Sequence, residues 1–91
     1  MHVMDNTVTF DIGRTTVQMI YRGPLDLPPA DYLYAVRMNE GWEIYDDEDD
    51  RIEGLPANMA IDYCNKIFLP DTILEKGVKH YFELKEIEDD E

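Results

Sequence analysis

Five stretches of this chain alternate apolar and polar side chains at a period of two, and a single stretch carries the 3.6-residue period of a helix. That imbalance constrains the fold more than any other feature. Thr7-Val8-Thr9-Phe10-Asp11-Ile12 places apolar residues at 8, 10 and 12, the pattern of a half-buried strand. Gly13-Arg14 follows, and glycine there can take the positive φ of a tight hairpin turn. Residues 15–22 resume the alternation with Val17, Met19 and Tyr21 on one side, so the two runs read as a β-hairpin.

Residues 23–29 are a connector, because Pro24, Pro28 and Pro29 remove donors that a central strand or helix would need. Residues 32–38 admit a short helix capped by Asp31, but Tyr32, Tyr34, Val36 and Met38 alternate, which favours a strand. Asn39-Glu40-Gly41 supplies turn chemistry, and Trp42-Glu43-Ile44-Tyr45 continues as a second alternating strand. Pro56 suits the first position of a helix, where its missing N–H costs nothing. Ala60, Cys64, Ile67 and Phe68 then recur at helical spacing, with Asn58, Asp62, Asn65 and Lys66 outward and Pro70 as the stop. Thr72-Ile73-Leu74 is a candidate for an extra short strand. Val78, His80, Phe82 and Leu84 define the last regular element.

The order β-β-β-β-α-β predicts an α+β domain over residues 1–87, a small antiparallel β-sheet covered on one face by a single amphipathic helix. The other face is expected to meet water through Thr7, Thr9, Thr16 and Gln18. Residues 88–91 form an acidic C-terminal tail.

Charge is what distinguishes this domain. The chain has 91 residues and a net charge of −13. Residues 40–53 hold Glu40, Glu43, Asp46, Asp47, Glu48, Asp49, Asp50 and Glu53 against Arg51, a net of −7. Residues 83–91 hold Glu83, Glu86, Glu88, Asp89, Asp90 and Glu91 against Lys85, a net of −5. The remaining residues are almost neutral. Five adjacent carboxylates at 46–50 repel one another, so that run is expected to be a solvated loop. Such a surface is repelled by phosphate backbones and anionic lipid, which excludes ordinary nucleic-acid and membrane binding. With 44% hydrophobic residues and 11% aromatics the chain is not a disordered tail. The start of the sequence has no basic and apolar leader, no stretch approaches a membrane span, and the single cysteine makes no internal disulfide. A soluble, cytoplasmic protein is expected.

No constellation identifies a reaction. An EF-hand loop started at Asp46 has Arg51 where glycine belongs and Ala57 where glutamate belongs; started at Asp49 it has Arg51 at the third position and Ala60 at the twelfth. His2, Cys64 and His80 lack zinc-ligand spacing. There is no serine, Cys64 sits on the apolar helical stripe, and His80 alternates with apolar neighbours as a core or rim histidine. The glycines are spaced singly, unlike a phosphate-binding loop. No catalytic, metal or cofactor site is expected.

A binding role remains. Trp42 and Tyr45 flank the first acidic block and Tyr81 and Phe82 precede the second, an arrangement in which aromatics anchor and charges steer. Trp42 suits a core position equally well. The expected partner is a protein with a basic nucleic-acid-binding surface, such as a nuclease, restriction or CRISPR-type defence protein, polymerase or repressor. Twelve excess carboxylates match the phosphate charge of about 20 Å of duplex. In composition the chain resembles the small acidic inhibitors with which bacteriophages counter host defence, though no motif assigns it to a family. The determinants expected are Glu40, Glu43, Asp46, Asp47, Glu48, Asp49, Asp50 and Glu53 with Trp42 and Tyr45, then Glu86, Glu88, Asp89, Asp90 and Glu91. The rival readings are an antitoxin or immunity-type protein neutralising one basic toxin, and a small phage assembly factor whose acids are merely solvated.

Overall fold

A computed structural model describes residues 6–69 and 72–87. The elements run β1 (Thr7–Ile12), β2 (Thr15–Gly23), β3 (Tyr32–Met38), β4 (Gly41–Asp46), α1 (Leu55–Ile67) and β5 (Lys79–Ile87). This is the expected α+β order, with residues 32–38 a strand rather than a helix. The first hairpin turns at Gly13, whose φ of 61° is the left-handed conformation that glycine adopts without a Cβ penalty. Residues 72–75 take no regular structure, and Ile73 is 95% exposed, so the candidate short strand does not form. Pro70 and the tail acids Glu88, Asp89, Asp90 and Glu91 lie outside the described residues.

The five strands form one antiparallel sheet in the order β1-β2-β5-β3-β4. The last strand in sequence is thus the central one. Its sequence suits that place: His80, Tyr81 and Phe82 are buried in succession, which a strand achieves only when both of its faces are covered. Because β2 and β3 both run antiparallel to β5, they are parallel to each other. The proline-rich residues 24–31 carry the chain across from one to the other.

Helix α1 lies against β3 and β4 and closes the core on one face. Ala57, Ala60, Tyr63 and Cys64 point down from the helix onto Met19, Leu33, Ala35, Ile44 and Phe82, all essentially inaccessible on the sheet side. Three alanines at this contact let helix and sheet approach closely. Asn58, Asp62, Asn65 and Lys66 face outward, as the helical period requires. The helix begins at Leu55, one residue before Pro56, and has no side-chain cap at its start. It ends where the Phe68 amide donates to the Cys64 carbonyl at 2.9 Å and the backbone becomes extended.

Trp42 belongs to this core. It is 8% exposed, stacks on Phe68 at 5.6 Å and meets the edge of His80, with the Arg37 guanidinium 5.7 Å from its ring. As one of the two aromatics expected to anchor a partner, it is therefore turned inward. His80 is buried as expected, its Nδ1 sharing a 3.1 Å hydrogen bond with the Tyr21 hydroxyl. Burial lowers its pKa below the ordinary histidine range. Cys64 is fully buried, and desolvation pushes its thiol up to about 12, which leaves it a core residue without nucleophilic character.

Candidate interaction surface

The sheet face opposite the helix carries a second, smaller cluster. Tyr32 and Tyr34 from β3, Tyr45 from β4 and Tyr81 from β5 alternate with core residues and so point away from α1. Tyr34 stacks on Tyr45 at 5.4 Å, and Tyr32 meets Tyr81 edge to face at 5.2 Å. The Lys79 ammonium stands 4.8 Å from the Tyr34 ring, a cation–π contact. Two hydroxyls of the cluster reach carboxylates: Tyr34 donates to Asp49 and Tyr45 to Glu43, each at 2.7 Å. Burial, and then the Asp49 hydrogen bond, raise the Tyr34 pKa; the Glu43 hydrogen bond leads the rise at Tyr45. Tyr45 thus sits at the rim of the acidic run with its hydroxyl already engaged.

The acidic run is solvated but not irregular. It closes a tight loop at the end of β4, with the Asp46 amide donating to the Asp50 carbonyl and the Ile52 amide to the Ile44 carbonyl, both at 2.9 Å. Arg51 bridges back to Tyr45. Oδ1 of Asp46 accepts the amides of Glu48 and Asp50 at 2.9 and 3.0 Å, and Asp49 takes a left-handed φ of 63°. Mutual repulsion among the five carboxylates is offset because one caps the loop from inside and another accepts the Tyr34 hydroxyl. The remaining three, Asp47, Glu48 and Asp50, are exposed.

The block at 40–53 does not form one patch. Glu43 and Glu53 line a depression of about 390 Å³ beside the start of α1, with Arg51 between them. Glu40 and Glu43 stand with the same arginine in a smaller hollow of about 190 Å³ at the start of β4. These three acids therefore share their hollows with the one base of their block. Asp46 and Asp47 point elsewhere.

They join the second block. A broad, open depression of about 730 Å³ is bordered by Asp46 and Asp47 on one side, by Glu83, Lys85 and Glu86 of β5 on the other, and by Asp31 between. Ala30, Tyr32 and Leu84 give it an apolar component. The register explains the meeting: Leu33 pairs with Asp46 on one flank and with Phe82 on the other, which brings the end of β4 and the second half of β5 to the same end of the sheet. Glu83 is partly neutralised by Arg22, whose Nε donates to it at 2.9 Å. Asp31 and Tyr32 lie outside the determinants that the charge runs predict, since they gain their place only when β5 inserts beside β3. Among the described residues, no group of three or more His, Cys, Asp or Glu side chains is arranged to hold a metal ion. No helix among them is long and apolar enough to cross a membrane.

No family model, no curated protein and no solved structure matches this chain.

Proposed function

We propose that this chain is a non-enzymatic inhibitor that occludes a basic nucleic-acid-binding site on another protein, presenting carboxylates where that protein expects phosphates. The observation that carries the reading is the meeting of the two acidic blocks around one depression. Asp31, Asp46, Asp47, Glu83 and Glu86 border it with Lys85, and Glu83 is paired with Arg22. Converging carboxylates on a rigid sheet end give an electrostatic field that a dispersed charge of the same size does not. That field steers a basic partner and raises its association rate. Glu48 and Asp50, exposed on the adjoining loop, widen the acidic rim. In a cell carrying a phage, the fitting target is a host nuclease, a restriction or CRISPR-type defence protein, or a polymerase.

The test is affinity capture from a bacterial lysate at low and at moderate salt. Each recovered protein is then assayed for release of its own DNA or RNA when the chain is added. The expected result is a set of nucleic-acid-binding proteins, retained less at the higher salt and displaced from nucleic acid by the chain. Recovery of one tightly held toxin, with no displacement of nucleic acid from any protein, would overturn the reading in favour of an immunity-type role.

A further inference from the structure

The depression is bounded by an open strand edge as well as by carboxylates. Strand β5 is laddered to β2 from the Gly23–Tyr81 pair as far as the Thr16–Ile87 pair. On its other side, pairing with β3 stops at Tyr32–Glu83, followed by one further bond from the Leu84 amide to the Asp31 carbonyl at 3.0 Å. In an antiparallel ladder the N–H and C=O of one residue point to the same side. Glu83, Lys85 and Ile87 therefore turn their backbone groups toward β2, while Leu84 and Glu86 turn theirs toward the depression. Among the described residues, the Glu86 amide and carbonyl have no backbone partner there.

The reason lies in the connector. Continuing the β3 register beyond Asp31 brings Pro29 opposite Glu86. Proline has no N–H to donate, and Pro28 precedes it, so the chain leaves the ladder at this point. The other sheet borders differ. The outer edge of β4 is covered at residues 44–46 by residues 50–52, and the edge strand β1 carries a single acid, Asp11, so nothing there selects a charged partner.

We infer that the β5 edge at residues 84–87 docks an extended, Lys/Arg-rich segment of the partner protein, which adds antiparallel to β5 in line with β3. The inference deepens the proposed function, resting on it only for the basic character of the partner. Main-chain hydrogen bonds to the amide and carbonyl of Glu86 supply the alignment. Asp31, Asp47 and Glu86 supply complementary charge, and Tyr32 and Leu84 receive the aliphatic stems of the basic side chains. A second copy of this chain is the wrong occupant, since it would bring a charge of −13 onto a like charge.

The probe is a synthetic peptide of about ten residues alternating arginine and valine, with a counterpart N-methylated at every second residue so that it cannot form a ladder. The expected result is a shift of the Leu84 and Glu86 amide signals on titration of the unmodified peptide, with exchange of the Glu86 amide slowed about tenfold. The N-methylated peptide should bind at least about tenfold more weakly. The variant Glu86→Pro deletes an outward-facing N–H together with the carboxylate and is compatible with an edge position; it should weaken binding about tenfold, against about twofold for Glu86→Gln, which removes the charge alone. Equal binding of the two peptides overturns the inference by reducing the contact to charge alone. Absence of peptide binding overturns it too, and displacement of nucleic acid by the chain in the lysate-derived proteins would then show that the occlusion reading survives without strand addition.

Discussion

Tyr34 donates its phenolic hydrogen to Oδ1 of Asp49 across 2.7 Å, tying the aromatic cluster of the open sheet face to the residue of the acidic loop whose backbone is left-handed. Asp49 is an aspartate in a conformation that costs most side chains energy. The hydrogen bond holds it there and keeps the loop folded back on the sheet.

Tyr34→Phe keeps the ring and its stacking on Tyr45 while removing that bond. Since the acceptor is ionised and the donor is buried, the expected cost is about 1–2 kcal/mol. Denaturant unfolding measures it. Amide exchange at Glu48 and Asp50 should rise by more than global destabilisation explains, because the loop loses its anchor while the core is untouched.

Asp46 holds the same loop from inside. Asp46→Ala removes the acceptor of the Glu48 and Asp50 amides and should cost about 1–2 kcal/mol. Asp46→Asn retains an oxygen at the same place and should cost less than about half as much. The pair of variants, compared by thermal unfolding, separates the capping role of this side chain from its charge. An equal loss in both would assign the effect to charge.

Much of this fold is legible from the sequence, and the parts that are not share one cause. Strand limits follow from local alternation: residues 7–12 and 32–38 are observed as predicted, and Pro56 and the Ala60–Cys64–Ile67 spacing place the helix within a residue. The insertion of β5 between β2 and β3 is a long-range choice that no local pattern encodes. Only the adjacent Tyr81 and Phe82, each buried on its own face, hint at a central strand. The candidate surface depends on that insertion, which is why Asp31 and Tyr32 are absent from a reading by charge runs. Glu40, Glu43 and Glu53, contiguous in sequence with the acidic loop, line hollows other than the one bordered by Asp46 and Asp47. Trp42 suits core and surface equally in the sequence because it lies on a strand beside the acidic block, whereas its neighbours in the fold are Phe68 and His80.

Stability should fall on the alkaline side through three acids of the neutral kind, Cys64 and Tyr34 buried and Tyr21 half-buried. Burial raises Tyr21 from 10.0 to about 12 and Cys64 from 9.0 to about 12, and Tyr34 is raised as well. A folded-state pKa above the unfolded value means that the unfolded chain loses its proton first. The stabilisation is complete below about pH 9 and is withdrawn as pH rises toward about 12. Unfolding midpoints measured across that range should decline, and Cys64→Ala should delay the onset toward pH 10, where the tyrosines begin.

His80 gives the opposite sign on the acid side. Its folded pKa lies below the ordinary value of 6.5 because burial disfavours the imidazolium. As pH falls below that value, the unfolded chain takes up a proton that the native core refuses, and stability is lost. The C2 proton of His80 followed by NMR should titrate below 6.5 in the native state. His80→Gln, which offers the Tyr21 hydroxyl an acceptor without titrating, should flatten the fall in stability between about pH 6.5 and 5.

The last prediction separates location from amount of charge. Asp31→Asn with Asp47→Asn removes two charges from the border of the large depression; Glu40→Gln with Glu53→Gln removes two from the hollows around Arg51. Each pair changes the net charge equally, so any effect of overall charge on encounter is the same for both. None of the four side chains makes a hydrogen bond or ion pair within the described fold, so both variants should unfold at the temperature of the parent. If the depression is the contact, the first pair slows association with a captured nucleic-acid-binding protein about fivefold or more and flattens its salt dependence. The second pair changes it less than about twofold, since those carboxylates stand outside the depression, in hollows that also hold Arg51. Stopped-flow association at two ionic strengths reads both quantities. Equal slowing by the two pairs would assign recognition to net charge and take it away from the end of the sheet where the two acidic blocks meet.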